Sequence, residues 1–147
     1  MTTQQTAPAP LDEQLCFALY SASRTLTAAY RPILAPHGLT YPQYLVLLAL
    51  WESDGPTVRE LGERLRLDSG TLSPLLQRLE AAGHLTRRRS TSDARVVTVH
   101  LSEQGDNLRH IAGDVRCALD AQVSMPIEDL VGLRDLARRL VESTTIH

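Results

Sequence analysis

Between Thr57 and Leu101 the apolar residues change period once, and that switch limits what the chain can build. Leu72, Leu75, Leu76 and Leu79 recur at helical spacing, whereas Val97, Val99 and Leu101 alternate with Thr98 and His100, the period of a half-buried strand. Thr57-Val58-Arg59-Glu60 has the spacing of a capping box and opens a short helix to about Leu65. Asp68 or Ser69 caps a second helix to about Ala82, and Gly83 is a natural stop. Helix, short turn and helix make a helix-turn-helix. His84–Arg89 and Arg95–Leu101 then read as two strands around Ser90-Thr91-Ser92-Asp93. A hairpin directly after the second helix is a wing.

Helices flank this reader on both sides. Leu11, Leu15, Ala18, Ala22, Leu26, Ala29 and Ile33 form a sustained apolar stripe, which Pro32 and Pro36-His37-Gly38 end. Thr40 is a candidate N-cap for a helix over about 41–51, with Pro42 in its first turn. Ser102 caps a long helix to about Val123, and Pro126 separates it from a last helix over about 128–142. The fold class is therefore mostly α with a small β-hairpin wing. Residues 1–10 are a loose tail and 11–147 a single domain. Its DNA-binding part spans about 41–101, and the dimerisation helices span about 11–36 and 102–147. The apolar stripes of the flanks want a partner, which a symmetric homodimer supplies.

The net charge of −2 hides an uneven distribution. Residues 57–95 hold eight arginines against five acids, +3 in all, a local anion-binding footprint inside an acidic chain. Away from its leucines, the second reader helix carries Ser69, Gly70, Thr71, Ser73, Gln77 and Arg78. Gln suits adenine and Arg suits guanine or phosphate, while Gly70 permits close approach. Arg87, Arg88, Arg89 and Arg95 sit on the wing, where arginines enter a minor groove or pair with phosphates. Each of these residues alone could equally belong to a solvated helix or an ordinary charged turn; the ordered set points to double-stranded DNA. Pro74 is awkward inside a recognition helix, because it removes a backbone bond and crowds the Gly70 carbonyl.

The run Asp68-Ser69-Gly70-Thr71-Leu72-Ser73-Pro74-Leu75-Leu76-Gln77-Arg78-Leu79-Glu80, with Gly83-His84-Leu85 and Ser92-Asp93-Ala94-Arg95, resembles the MarR family of transcriptional regulators over about residues 11–142. The resemblance includes Pro74. It implies that Arg95 helps seat the wing on a pseudo-palindromic operator and that Asp93 orders Arg95.

Two cysteines, Cys16 and Cys117, cannot make a disulfide framework, so a cytoplasmic chain with reduced thiols is the default. Cys16 falls beside the apolar stripe, on a more polar face with Tyr20, Ser23, Thr27 and Tyr30. A buried structural cysteine is one reading. The other requires the tyrosines to reach the sulfur. Fourteen residues separate Cys16 from Tyr30, about 21 Å along a helix, so the two can meet only across a dimer, where Tyr41 could approach the same place. Phenol donors favour the thiolate, the form that attacks peroxides. Leu15, Phe17, Leu45, Val46 and Trp51 would favour an alkyl peroxide.

Cys16, Tyr20, Tyr30 and Tyr41, with Tyr41-Pro42-Gln43-Tyr44, resemble the organic-hydroperoxide-resistance-regulator branch (OhrR) of that family. The resemblance implies that Cys16 is the peroxide sensor and that Tyr30 and Tyr41 bond to it from the other subunit. Cys117 is either a resolving cysteine or a structural bystander; in the latter case a low-molecular-weight thiol caps the sensor. The expected function is a repressor that releases DNA when organic hydroperoxide oxidises Cys16. Two alternatives are a regulator released by a small aromatic ligand and a thiol peroxidase. No catalytic residues, cofactor, metal site or membrane span are expected, and the protein is not expected to be an enzyme.

Overall fold

The computed structural model describes residues 7–145. Residues 1–6 of the expected tail, and 146–147, lie outside the described residues. A 3-10 turn, Leu11–Glu13, precedes α1, Leu15–Leu34. The stripe expected to run unbroken from Leu11 is thus interrupted at Gln14, whose backbone is extended. Pro32 lies inside the last turn of α1 rather than ending it. The stop comes after the 3-10 turn Ala35–His37, at Gly38 with φ +68°, a conformation that favours glycine.

Helix α2, Tyr41–Glu52, is capped on both sides of its first turn. The Thr40 hydroxyl accepts from the Gln43 N–H, and the Gln43 side chain accepts from the Thr40 N–H. The helix is apolar nearly all round and buries Tyr44, Val46, Leu47, Leu50 and Trp51, which makes it the central helix of the core. In α3, Val58–Leu65, only half of the expected capping box forms: Thr57 Oγ1 accepts from the Glu60 N–H at 3.0 Å, while Glu60 stays exposed. Asp68, not Ser69, caps α4, Ser69–Ala81, accepting from the Thr71 N–H at 2.7 Å. Leu72, Leu75, Leu76 and Leu79 are buried as expected, and α4 runs continuously through Pro74. Gly83, at φ +84°, turns the chain into the hairpin.

Strands β1, Leu85–Arg89, and β2, Val97–Leu101, pair antiparallel with Arg87 opposite Val99. Two strands alone are marginal, and this pair is tied to the turn between α2 and α3. The Val99 N–H donates to the Pro56 carbonyl at 2.8 Å, the Leu101 N–H donates to Asp54 Oδ1 at 2.9 Å, and Thr57 bridges Thr98.

The single long helix expected after Ser102 is in fact broken. Ser102 caps α5, Glu103–Asn107; a 3-10 turn, Leu108–His110, leads to α6, Ile111–Asp120. A tertiary contact sits at the break. Trp51 Nε1 donates to the Gly105 carbonyl at 3.0 Å, the acceptor to which the Arg109 N–H would donate in a continuous α-helix. The Arg109 guanidinium returns the contact by donating to the Trp51 carbonyl at 3.1 Å. Helix α7, Ile127–Ser143, follows Pro126 and has no buried residue, and α1 buries only Leu34. Leu15 on α1 and Leu136 on α7 are 60% and 61% exposed. No helix among the described residues is long and apolar enough to cross a membrane.

Candidate nucleic-acid interface and thiol site

The leucine face of α4 is spent on the core, so the opposite face is free. Ser69, Gly70, Thr71, Ser73, Gln77 and Arg78 are all exposed. Between α3, α4 and the wing lies a groove. Arg59, Arg66, Ser69 and Arg95 line one part of it, and Thr57, Ser73, Arg87 and Arg95 another. Arg59 and Arg66 belong to the basic block but to neither the recognition face nor the wing. Their signal was the charge excess; only the packing of α3 against α4 aims them at the groove. Arg66 is also the only non-glycine residue with positive φ (56°) among those described, and it makes the turn between α3 and α4.

The arginines expected on the wing divide into distinct roles. Successive residues of a strand face opposite ways, so Arg88 is separated from its neighbours and is exposed. Arg89 donates to the Ala94 carbonyl at 2.9 Å and closes the loop between the strands. Arg95 is 91% exposed in its side chain, yet Asp93 holds it three times: Oδ1 accepts from the Arg95 N–H at 3.0 Å and from Nε at 3.2 Å, and Oδ2 accepts from Nη2 at 3.4 Å. These bonds keep the Asp93 carboxyl below the usual carboxylate range. A guanidinium held this way stands ready to meet an anion with little ordering cost. The Arg87 side chain, at the edge of the groove, turns back onto α4 and pairs with Glu80.

Cys16, in the first turn of α1, is exposed, as is Cys117 on α6. Tyr20, one turn after Cys16, lies under the Arg24 guanidinium, 5.2 Å from its ring centre. Tyr30 stacks on Tyr41 with ring centres 4.6 Å apart and lies 6.1 Å from Tyr44. Burial pushes the phenols of Tyr30, Tyr41 and Tyr44 up, so all three keep their O–H at neutral pH. Tyr30, Tyr44, Arg116 and Asp120 line a crevice between α1, α2 and α6. Within one chain, therefore, the thiol and the Tyr30–Tyr41 pair occupy opposite ends of α1.

Two of the apolar neighbours expected around a peroxide are unavailable to it. Val46 is fully buried, and Trp51 is sealed in the core by its bond to Gly105. Leu15 and Phe17 remain exposed. Among the described residues, no three His, Cys, Asp or Glu side chains gather as a metal-binding group.

Comparison with known proteins fits this geometry. Residues 28–110 match the family model for the transcriptional regulator SarA/Rot. The HTH-type transcriptional regulator TtmR of Methylorubrum extorquens (strain PA1) is 46% identical, the match covering 95% of this chain and 75% of that one. The organic hydroperoxide resistance transcriptional regulator of Bacillus subtilis (strain 168) is 44% identical, covering 93% of this chain and 92% of its own. Reduced AbfR bound to DNA superposes with a TM-score of 0.75 at 35% identity, over 91% of this chain and 94% of that chain; a disulfide-formed AbfR superposes at 0.65 and 34%, over 90% and 93%. With a winged helix-turn-helix between two helical flanks, and with relatives of this similarity, the chain belongs to the MarR family of transcriptional regulators, in the branch of the organic hydroperoxide resistance regulators.

Proposed function

We propose that the protein is a cytoplasmic, homodimeric repressor that reads double-stranded operator DNA with α4 and the wing and releases it when an organic hydroperoxide oxidises Cys16. The observation that carries this reading is the split of the thiol site. Cys16 is exposed at one end of α1, and the half-buried, protonated Tyr30–Tyr41 pair lies at the other. A second copy, packed on the uncovered apolar faces of α1 and α7, brings one chain's thiol to the other's phenols. Exposed apolar helix faces of this extent favour such an association.

The chemistry balances without a cofactor. The Cys16 thiolate attacks the distal oxygen of the hydroperoxide and the O–O bond breaks. The alkoxide leaves and takes a proton, giving an alcohol and a sulfenic acid. A second thiol, either Cys117 or a small cellular thiol, attacks the sulfenic sulfur and expels water. The resulting disulfide alters the contacts of α1 and moves the two α4 helices out of register with successive major grooves. One oxidation per release is stoichiometric sensing, so no enzymatic turnover is assigned.

The test is a gel shift on the DNA upstream of the protein's own gene, with and without cumene hydroperoxide. Wild type should bind when reduced and release when oxidised. Cys16→Ser should bind and ignore the peroxide, since serine has no accessible sulfenic state. Release of Cys16→Ser by peroxide would overturn the reading. Release by a phenolic acid instead would favour a ligand site in the crevice at Tyr30. Cys117→Ser decides the second thiol: a crosslinked dimer on non-reducing gels that vanishes in this variant makes Cys117 the resolving residue.

A further inference from the structure

We infer that Glu80 and Arg87 are positioning residues that lock the wing at a set distance from the recognition helix, and that Arg87, despite lying in an arginine run, makes no contact with DNA. This deepens the proposed reading of DNA and rests on it.

The argument begins with the ladder. In the Arg87–Val99 pair both N–H groups point out of the hairpin: Val99 donates to the Pro56 carbonyl, and Arg87 donates to Glu80 Oε2 at 2.8 Å. An unpaired strand edge needs an acceptor, and the acceptor here is a carboxylate on α4. The same carboxylate takes a second bond at Oε1 from the Arg87 guanidinium, at 3.2 Å. Charge-assisted bonds of this kind are the strong ones. They also hold the Glu80 carboxyl below the usual carboxylate range, chiefly through the backbone N–H. The pair is partly shielded, with 30% of the Arg87 side chain and 38% of the Glu80 side chain exposed.

The position of Glu80 points the same way. It is one residue from the end of α4, where the helix dipole disfavours a negative charge. A carboxylate beside a DNA-reading face also repels phosphate. Both local costs argue that it is kept for its tie to β1. The other strand is already fastened through Asp54 and Pro56. The Glu80 clamp fixes the remaining degree of freedom, the angle between the wing and α4.

Positioning and simple electrostatics predict opposite results for Glu80→Ala. Affinity is measured on a duplex enriched from a random-sequence library by the reduced wild type, and on poly(dI-dC) as non-specific DNA. If Glu80 positions the wing, Glu80→Ala weakens binding to the enriched duplex by about tenfold while poly(dI-dC) binding holds or tightens. Glu80→Gln, which keeps an acceptor for the Arg87 N–H, falls between. Arg87→Ala keeps the wild-type slope of log affinity against log salt; two lost phosphate contacts per dimer would lower it by about 1.8. Without any DNA, exchange of the Arg87 amide hydrogen is faster in Glu80→Ala than in wild type. Unchanged or tighter duplex binding by a folded Glu80→Ala, a reduced salt slope for Arg87→Ala, or unchanged amide exchange overturns the inference alone. Failure of the wild type to enrich any duplex overturns the DNA reading itself.

Discussion

Gly105→Ala is the sharpest test of how the reader is joined to the flanking helices. A Cβ at Gly105 would lie 1.9 Å from the His84 carbonyl oxygen, and that obstacle is backbone. Relief requires α5 to move away from the start of β1 by about 1 Å or more. Such a shift breaks the 3.0 Å bond from Trp51 Nε1 to the Gly105 carbonyl and the 3.0 Å bond from the Gly105 N–H to Ser102 Oγ. It also strains the Ser102 N–H bond to the His84 carbonyl. Each bond lost at a shielded site costs about 1 kcal/mol, and overpacking adds roughly 1–3 kcal/mol. Alanine recovers about 1 kcal/mol of helix propensity. The net loss is about 2–4 kcal/mol, a fall in melting temperature of roughly 5–15 °C for a chain of this size. The assay is thermal unfolding at fixed protomer concentration. Gly113→Ala is the control: its Cβ meets nothing within 4 Å, so it should melt at or slightly above wild type. A Gly105→Ala protein that melts with wild type would refute the reasoning, because the close approach would then yield at no cost.

His84 is 6% exposed with an unpartnered Nδ1, and burial holds its ring below the usual histidine range. The unfolded chain therefore takes up its proton first, and stability should fall as pH drops below about 6.5; urea titrations between pH 7 and 5 should show this fall, shallower in His84→Leu. Arg95→Ala should weaken operator binding by roughly 1–3 kcal/mol, the scale for a lost charged hydrogen bond, with an unchanged melting temperature; fluorescence anisotropy at physiological salt measures it. If the proposed dimer brings both phenols to the thiol, Tyr30→Phe and Tyr41→Phe should each slow Cys16 oxidation by alkyl hydroperoxide, followed by loss of free thiol, because each would remove a donor to the thiolate; wild-type rates in both would detach the tyrosines from the sensor.

The parts legible in the sequence are those closed within a few residues. Thr40, Asp68 and Ser102 each cap a helix by accepting from an N–H three residues ahead, so residue type and spacing place the helix start to within about a residue. The alternation from Val97 to Leu101 and the buried leucines of α4 follow from periodicity in the same way. The Asp93–Arg95 contact spans two residues and could also be anticipated. What escaped is what distant packing decides. The indole of Trp51 meets a carbonyl 54 residues away, where the helix after Ser102 gives way to a 3-10 turn. Arg87, Arg88 and Arg89 are identical as letters, but Glu80, open solvent and the Ala94 carbonyl give them three different roles. The stacking of Tyr30 on Tyr41, and the sealing of Val46 and Trp51 away from solvent, likewise depend on how α1, α2 and α5 pack. A local pattern states which groups need partners; only the three-dimensional arrangement states which partner arrives, because hydrogen bonds weaken steeply off their preferred geometry and a gap of about 0.5–1 Å already forfeits roughly a quarter to a half of the van der Waals attraction.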